Sequence, residues 1–439
     1  MNPAPRRGWC PGLARPMPTG DGLLVRLHPV AGRLTAAQVR AAARAAREGG
    51  NGLLDVTARG NLQIRGVTAE SHGRVAAILG EAGLGDVRHD GGPQRLTLSA
   101  PLAGAHCLAV VAAVEAIGRE VPGLPAKTLV AVDDDRGGLG PVEADFLIRV
   151  IPESSDADET RGIDAVLSSP LDQREQAPPT LQLALATPSG PLWLAPTPAP
   201  TALATLRTLL HGLAASGARR IRALPDSQRD ALLADLPPGE PPPGGAPRPA
   251  GLHGRALLAE LAFGRCDAAL LESLAAWCET QGDGHLALTP SRGIALAARD
   301  HTVAATLRDA AAAAGLIVDP ADPRRAVAAC PGAPACASGG TPAQADAPRL
   351  ATAFAHMAER GATAHVSGCP KGCASPSPAA LTLVGRSDGL YGVVLDGNAG
   401  TPTDLVLTFG AVLERLESTR ITATLDVPSG LRDAFREPA

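Results

Sequence analysis

The chain has 439 residues, a formal net charge of −4 and a hydrophobic content of 45%, but only 2% of its residues are aromatic. A chain of this length can form about two to four domains with a large buried core. The weak negative charge gives no general attraction to nucleic acids or anionic membranes, and few aromatic rings are present on which bases could stack. The longest apolar run, residues 108–114, is far too short to span a bilayer. These features exclude most nucleic-acid-binding and membrane proteins and indicate an ordinary globular protein.

Residues 1–21 are rich in Pro and Gly and are expected to form an extended N-terminal arm. Two arginines, Arg6 and Arg7, are not followed by an apolar segment, so the arm does not have the pattern of a secretory signal. We therefore expect a cytoplasmic protein. In that reducing compartment, a group of cysteines is more often metal-binding or catalytic than disulfide-bonded.

The first compact unit, residues 22–88, is expected to run strand, helix, strand, helix. Thr35 and Gln38 have the spacing of a capping box that opens the first helix, and Gly49 lies where that helix should end. The predicted elements are strands at 23–27, 53–56 and 62–64 and helices at 35–49 and 69–82.

The same order of elements returns in residues 253–318, where Asp267 is expected to cap the first helix, and this indicates an internal duplication. When the strands of the two copies are aligned, Arg59 of the first copy corresponds to Ser291 of the second. Arg292 lies one position further along. The alignment therefore predicts that only Arg59 is correctly placed to face a ligand.

Each copy is followed by a larger region, residues 89–235 and 319–439, and a Pro/Gly-rich linker at 236–252 separates the two halves. The cysteines of the second region are expected to follow strand ends, at positions that Pro101 and Lys127 fill in the first region. Strand ends of α/β units are the usual place for ligands.

Four of the eight cysteines lie between residues 330 and 373, in a Cys-x5-Cys pair and a Cys-x3-Cys pair flanked by Gly and Pro. They are Cys330, Cys336, Cys369 and Cys373. Four thiolates presented from tight turns are what an iron–sulfur cluster requires. Zinc, a disulfide pair and buried free thiols are the alternatives, although zinc prefers about two to four residues between paired cysteines and disulfides need an oxidising compartment.

Polar side chains occupy every second position after the turn that follows the second strand. They are Arg59, Asn61, Gln63 and Arg65. On an extended segment all four project from one face. That face could be an ordinary solvated sheet surface, or it could bind several carboxylates, because arginine presents a planar fork of donors that stays charged.

Lysine is nearly absent from the chain, and only Lys127 and Lys371 occur. Lys371 lies inside the second cysteine pair, and Lys127 ends the segment Leu124-Pro-Ala-Lys127. Chance placement on the surface is one explanation, since lysine is mostly exposed. A role at a ligand site is the other. His365 lies on the strand that leads to the second cysteine pair, and we expect it to be structural.

No G-x-G-x-x-G after a strand, no P-loop and no G-x-S-x-G are present, so no dinucleotide site and no hydrolase elbow can be identified. Electrons for a cluster would then come from a partner, which we expect to be an NADH-linked reductase or a ferredoxin-type protein, or from a reduced nucleotide bound without a recognisable motif.

The cysteine spacing, the duplication and the Thr57-x-Arg59 turn together resemble the sulfite and nitrite reductase superfamily, over about residues 15–435. The resemblance implies a mixed α+β and α/β fold class, in which two ferredoxin-like half-domains and two larger α/β domains are duplicated. It also implies that the four cysteines ligate a [4Fe–4S] cluster, and that Cys373 would occupy the position whose sulfur bridges to haem iron. Arg59 and Lys127 match basic residues that surround the bound anion in the reductases.

Two cations of the reductase pattern are missing, because Leu129 replaces a lysine and the Pro101–Gly104 turn replaces an arginine. Their loss weakens the electrostatic clamp needed for sulfite or nitrite. Within the superfamily, segments 16–26, 99–104 and 367–374 look most like the members that hydroxylate precorrin-3A with lactone formation in aerobic cobalamin (vitamin B12) biosynthesis.

That resemblance implies an oxygen-dependent iron–sulfur monooxygenase with a tetrapyrrole substrate. Its second cofactor would be sirohaem or a mononuclear non-haem iron. Arg59 and Lys127 would be catalytic. The residues expected to bind substrate or sirohaem are Arg59, Asn61, Gln63, Arg65, Lys127 and Lys371. A sirohaem-dependent assimilatory sulfite or nitrite reductase and an electron-carrying subunit remain the alternative functions.

Overall fold

The computed structural model describes residues 11–134, 139–140, 142–151, 179–418 and 426–436. The first ten residues of the predicted N-terminal arm lie outside the described residues. In the described part the protein is a mixed α/β molecule built on four sheets. No helix in that part is long and apolar enough to cross a membrane.

The first repeat follows the predicted order of strands and helices. Its elements are β1 (Met17–Thr19), β2 (Gly22–Leu27), β3 (Arg33–Thr35), α1 (Ala36–Gly49), β4 (Leu53–Val56), β5 (Leu62–Val67) and α2 (Ala69–Glu81). The predicted capping box is present, because the Thr35 hydroxyl accepts from the Gln38 amide and the Gln38 side chain accepts from the Thr35 amide. β1 pairs with β2, so the end of the N-terminal arm belongs to the first sheet.

The first larger domain places helices against a mixed sheet. Its elements are β6 (Thr97–Ser99), α3 (Ala105–Glu120), β7 (Val130–Asp133), β8 (Phe146–Ile151), β9 (Thr180–Thr187), β10 (Gly190–Trp193), β11 (Thr197–Pro198), α4 (Ala199–Ser216) and α5 (Asp226–Leu233). The sheet order is β10-β9-β8-β7-β6, in which β6, β7 and β8 are parallel. Val111 and Val114 of α3 and Leu206 and Leu210 of α4 form its core.

The second repeat has the same succession of elements as the first. They are β12 (Gly251–His253), β13 (Ala256–Glu260), β14 (Arg265–Asp267), α6 (Ala268–Thr280), β15 (His285–Leu288), β16 (Gly293–Ala297) and α7 (His301–Ala313). Asp267 caps α6 by accepting from the Leu270 amide, as predicted. β12 begins inside the predicted linker and pairs with β13, so the last linker residues are part of the second repeat's sheet.

The second larger domain repeats the design of the first. Its elements are β17 (Val327–Ala329), α8 (Ala343–Ala358), β18 (Ala364–Ser367), β19 (Ala379–Gly385), β20 (Tyr391–Gly397), β21 (Val406–Leu407), α9 (Phe409–Ser418) and α10 (Val427–Ala434). The sheet order follows the chain, and β17, β18 and β19 are parallel. The duplication is therefore visible in the larger domains as well as in the repeats.

Each repeat contributes one strand to the sheet of the other repeat. β14 of the second repeat pairs with β4 of the first, and β3 of the first repeat pairs with β15 of the second. Helices α1 and α6 pack together and are joined by the ion pairs Arg40–Glu279 and Arg47–Glu272. One continuous apolar core lies between them. The repeats consequently form a single unit, and a ligand site at their junction is held from both sides.

One predicted correspondence between the larger domains is wrong. Cys330 directly follows β17 as the Pro101 turn follows β6, which agrees with the alignment. Cys369, however, follows the end of β18, whereas Lys127 precedes the start of β7. Lys127 therefore lies at the opposite end of its strand from the position of the second cysteine pair.

Candidate active site

A cavity of about 600 Å³ lies where the two repeats meet the cysteine loops. The ten residues that the sequence singles out all line it: Arg59, Asn61, Gln63, Arg65, Lys127, Cys330, Cys336, Cys369, Lys371 and Cys373. They come from the β4–β5 turn and strand β5, the segment before β7, and the loops after β17 and β18. Folding thus brings together in one cavity residues from three separate parts of the chain.

The two cysteine loops leave adjacent strand ends. β17 and β18 are neighbouring parallel strands, so their carboxyl ends deliver both loops to the same edge of the sheet. The Gly368 amide donates to Cys330 Sγ at 3.1 Å, which joins the two loops. Cys330 is buried and Cys373 is exposed to the cavity, and none of the four thiols is in a disulfide.

Glycines allow the loops to lie against each other. A Cβ on Gly368 would lie 2.8 Å from the Gly332 Cα, and Gly332 itself has a positive φ of 63°. The short distance at Gly368 leaves no room for a side chain, and the positive φ at Gly332 favours glycine. Backbone amides therefore approach the thiols closely, which is typical of iron–sulfur sites.

The thiols are close enough to affect one another's ionisation. Burial, followed by the negative charge of Cys369, Cys330 and Cys336, raises the pKa of Cys373. A cation bound among the four would remove that repulsion. Four soft thiolates with no competing carboxylate fit a [4Fe–4S] cluster, in which each iron takes one cysteine.

The described residues do not offer a comparable set of ligands for a mononuclear iron. Among the described residues, no group of three or more His, Cys, Asp or Glu side chains is arranged to hold a metal ion. A cluster does not need such a group, because its ligands are distributed over four irons.

The polar side chains in and just before β5 differ in whether other residues of the chain already occupy their hydrogen-bonding groups. Asn61 is buried with its Oδ1 lacking a partner among the described residues, so that oxygen is available to a ligand. The Gln63 oxygen, with its amide in the swapped orientation, accepts from Arg26 Nε at 2.9 Å.

Arg65 does not have the predicted role. Its guanidinium is 2% exposed and donates to Asp21 at 2.9 and 3.0 Å, to Asp55 at 3.1 Å and to the Ala335 carbonyl at 2.6 Å. Because these acceptors occupy the guanidinium, it is not available for a substrate carboxylate. Arg65 instead ties the N-terminal arm and β4 to the first cysteine loop.

The two lysines differ in their surroundings. Lys371 donates to the Ser338 hydroxyl at 2.9 Å, which links the second cysteine loop to the end of the first. Lys127 is exposed on the cavity wall and has no hydrogen bond or ion pair with any described residue. Its ammonium can therefore meet an anionic ligand without losing another partner.

Four basic side chains line the cavity although they were not placed at a ligand site from the sequence: Arg26, His28, Arg95 and, against the prediction from the repeat alignment, Arg292. Arg26 and His28 follow Leu24 at every second position, so the period of strand β2 could have indicated them. Burial, then the charges of Arg26 and Arg95, lowers the pKa of His28 to about 3 and keeps the ring neutral. Burial lowers the pKa of Arg95 to about 10, which still leaves it charged.

The cavity is strongly cationic. Besides the ion-paired Arg65, its wall carries Arg26, Arg59, Arg95, Lys127, Arg292 and Lys371. Asp55 is the only carboxylate among the described lining residues, and it is already paired with Arg65 and Arg265. Such a site favours a ligand with several negative charges.

Known proteins are similar to this chain in sequence and in fold. Residues 15–82 match the family described as the nitrite/sulfite reductase ferredoxin-like half domain. The structure of the NirA protein of Mycobacterium tuberculosis is similar in fold, with a TM-score of 0.66 and 18% identity over 94% of this chain and 85% of that one. A precorrin-3B synthase of Sinorhizobium sp. is 34% identical over 419 residues, which cover 91% of this chain and 85% of that protein.

Identity at this level over most of both chains identifies the family, whereas the NirA match concerns the fold alone. The relatives indicate an enzyme, and in general terms an oxidoreductase. The chain belongs to the precorrin-3B synthase family and has the fold of the nitrite and sulfite reductases.

Proposed function

We propose that this protein is a precorrin-3B synthase, which hydroxylates precorrin-3A at the meso carbon between rings A and D and forms a lactone. The observation that carries the proposal is the cavity, where seven cations, one of them the ion-paired Arg65, and one already paired carboxylate adjoin four thiols. Precorrins carry several acetate and propionate side chains. A wall of guanidinium and ammonium groups is complementary to such a polycarboxylate.

Arg59 and Lys127 hold substrate carboxylates in this proposal. Both line the cavity, and so does Asn61, whose Oδ1 has no hydrogen-bond partner among the described residues. Leu129 lines the cavity with an apolar side chain, so this part of the wall suits a macrocycle edge better than a small anion. This favours the precorrin over sulfite or nitrite.

Cys330, Cys336, Cys369 and Cys373 are the residues that would hold the [4Fe–4S] cluster. When bound, the cluster supplies one-electron transfer from a donor protein to the site. We expect that donor to be an NADH-linked reductase or a ferredoxin-type protein. The cavity volume of about 600 Å³ is that of a pocket for a single large ligand, which supports substrate in the place that sirohaem occupies in the reductases.

The reaction consumes one dioxygen, two electrons and two protons. One oxygen atom enters the substrate as the hydroxyl group and the other leaves as water. A carboxylate side chain of the substrate closes the lactone by bonding to the ring carbon next to the hydroxylated meso carbon, across the same oxidised C=C bond, so closure needs no further oxidant and releases no second water. The chain's own contribution is to hold the substrate carboxylates in place and so to orient the macrocycle in the cavity.

The test uses anaerobically purified, cluster-loaded protein with precorrin-3A and a chemical reductant. Under ¹⁸O₂ we expect a product that has gained one ¹⁸O atom, and no product in the absence of oxygen. A product that forms equally without oxygen would contradict the proposal. Turnover of sulfite or nitrite would support the reductase alternative, and a bound cluster without affinity for any precorrin would support the electron-carrier alternative.

A further inference from the structure

The turn before β16 is the counterpart of the turn before β5, with one residue changed. In the first turn the Gly60 amide donates to the Thr57 carbonyl, and in the second the Arg292 amide donates to the Thr289 carbonyl. The following residue closes each turn by donating to the threonine hydroxyl. Arg292 therefore occupies the position of Gly60, as the gapless alignment of the repeats requires.

This position has a left-handed backbone in both turns. Gly60 has a φ of 59° and Arg292 has a φ of 62°. Glycine adopts this conformation freely, whereas arginine does so only under strain. Residues held in this region are concentrated at functional sites. A structural turn would be better served by glycine, as the first repeat demonstrates.

The Arg292 guanidinium is half-buried in the cavity wall and has few partners. It donates to the Ala374 carbonyl, next to Cys373, and it has no salt bridge with any described residue. The nearest carboxylate, Asp55, already accepts from Arg65 and Arg265. Burial lowers the pKa of Arg292, but the group remains a cation.

The imidazole ring of His365 does not provide an anionic partner for Arg292. His365 is fully buried, with both ring nitrogens unpaired among the described residues, and burial, followed by the charge of Arg292, lowers its pKa to about 4. Arg292 thus lacks the anionic partner that a buried guanidinium normally has.

From this geometry we infer that Arg292 binds a carboxylate side chain of the tetrapyrrole and holds that edge of the macrocycle beside the Cys369–Cys373 loop. The inference rests on the proposed function for its substrate class. It adds a contact from the second repeat to those that Arg59 and Lys127 supply from the first half. The substrate is then held from both repeats.

The experiment measures binding of uroporphyrin III, an octacarboxylate, to the cluster-loaded protein by fluorescence titration at low and moderate salt. Arg292→Gly is the informative variant, because it reproduces the Gly60 turn and relieves the backbone. Arg292→Lys keeps the charge without the planar fork. Arg308→Gln, on the outer face of α7 where Arg308 pairs with Asp309, is the matched surface control.

We expect Arg292→Gly to keep its iron content, to match or exceed the wild-type melting temperature, and to bind uroporphyrin III at least about tenfold more weakly. The affinity of Arg292→Lys for uroporphyrin III should lie between those of Arg292→Gly and the wild type, and Arg308→Gln should bind it like the wild type. The salt dependence of binding should decrease in Arg292→Gly.

Unchanged affinity in Arg292→Gly would overturn the inference. Loss of iron together with affinity in both Arg292 variants would also overturn it, because Arg292 would then support the cysteine loop rather than the ligand. Failure of the proposed function has a different signature, since wild-type protein would then neither bind uroporphyrin III nor oxidise precorrin-3A.

Discussion

The Arg65 guanidinium donates a 2.6 Å hydrogen bond to the carbonyl of Ala335, in the loop between Cys330 and Cys336. The Gly20 amide donates to the same carbonyl at 3.2 Å. A Cβ on Gly20 would lie 2.1 Å from the Pro334 carbonyl oxygen, so the arm fits against this loop without room for a side chain. The first repeat therefore sets the conformation of a cysteine loop that belongs to the second half of the chain.

Replacing Arg65 by Gln should destabilise the protein and reduce its iron content. Arg65 is 2% exposed, and its loss leaves Asp21 without its guanidinium partner. Breaking a buried ion pair costs about 3–5 kcal/mol. Urea unfolding and iron analysis measure both effects. The control is Arg74→Gln, which removes the exposed pair with Glu48 and should cost less than about 1 kcal/mol. Equal stability of the two variants would show that the Arg65 network is not structural.

Replacing Cys369 by Ser should abolish the cluster. The cavity holds four thiols, and loss of one leaves an iron without its ligand. Anaerobically purified wild type should contain about four irons per chain, and the variant should lose most of its iron and its visible absorption. Cys278→Ala is the matched control, because Cys278 is a buried thiol of α6 outside the cavity. Iron loss in the control alone would move the cluster away from the predicted ligands.

Replacing Lys127 by Gln should weaken substrate binding more than it slows the chemical step. Lys127 is exposed on the cavity wall without a partner in the described residues, so its removal leaves no group unpaired. We expect KM for precorrin-3A to rise about tenfold with a smaller change in kcat, because uniform binding is lost. Arg44→Gln, at an exposed pair with Glu81, should leave both constants unchanged. A large fall in kcat at constant KM would instead indicate a role in the transition state.

The free energy of unfolding should fall as the pH drops below about 6.5, in part because of His28. Burial, with Arg26 and Arg95, lowers the pKa of His28 to about 3 in the folded protein, while the unfolded chain binds a proton near pH 6.5. Protonation therefore favours the unfolded state between these values, and stability rises with pH across this window. The contribution between pH 7.5 and pH 5.5 is about 1.4 kcal/mol.

Urea unfolding of wild type and His28→Gln at these two pH values measures the effect. The variant should lose less stability on acidification. His365, whose pKa is lowered to about 4, remains in both proteins and should contribute equally to each. An identical loss in the two proteins would show that His28 titrates normally.

Local sequence patterns determined the elements and the cysteine pairs. The Thr35–Gln38 capping box and the Asp267 cap were readable because each depends on residues within one turn of helix. The duplication was readable because the two copies kept the same order of strands and helices. The spacing within the Cys330–Cys336 pair and within the Cys369–Cys373 pair predicted a metal-binding set, because each pair lies within one short segment.

Only the tertiary structure decided which polar residues of the cavity are already paired with other residues of the chain. The period of two placed Arg59 and Arg65 on one strand face, but the Asp21 carboxylate that occupies Arg65 comes from the arm, and its approach depends on the β1–β2 pairing. The alignment of the repeats excluded Arg292 from the ligand site, yet Arg292 lines the cavity, with a left-handed backbone that the sequence does not encode locally. Contacts between distant segments depend on how the sheets pack, and no pattern within one segment contains that information.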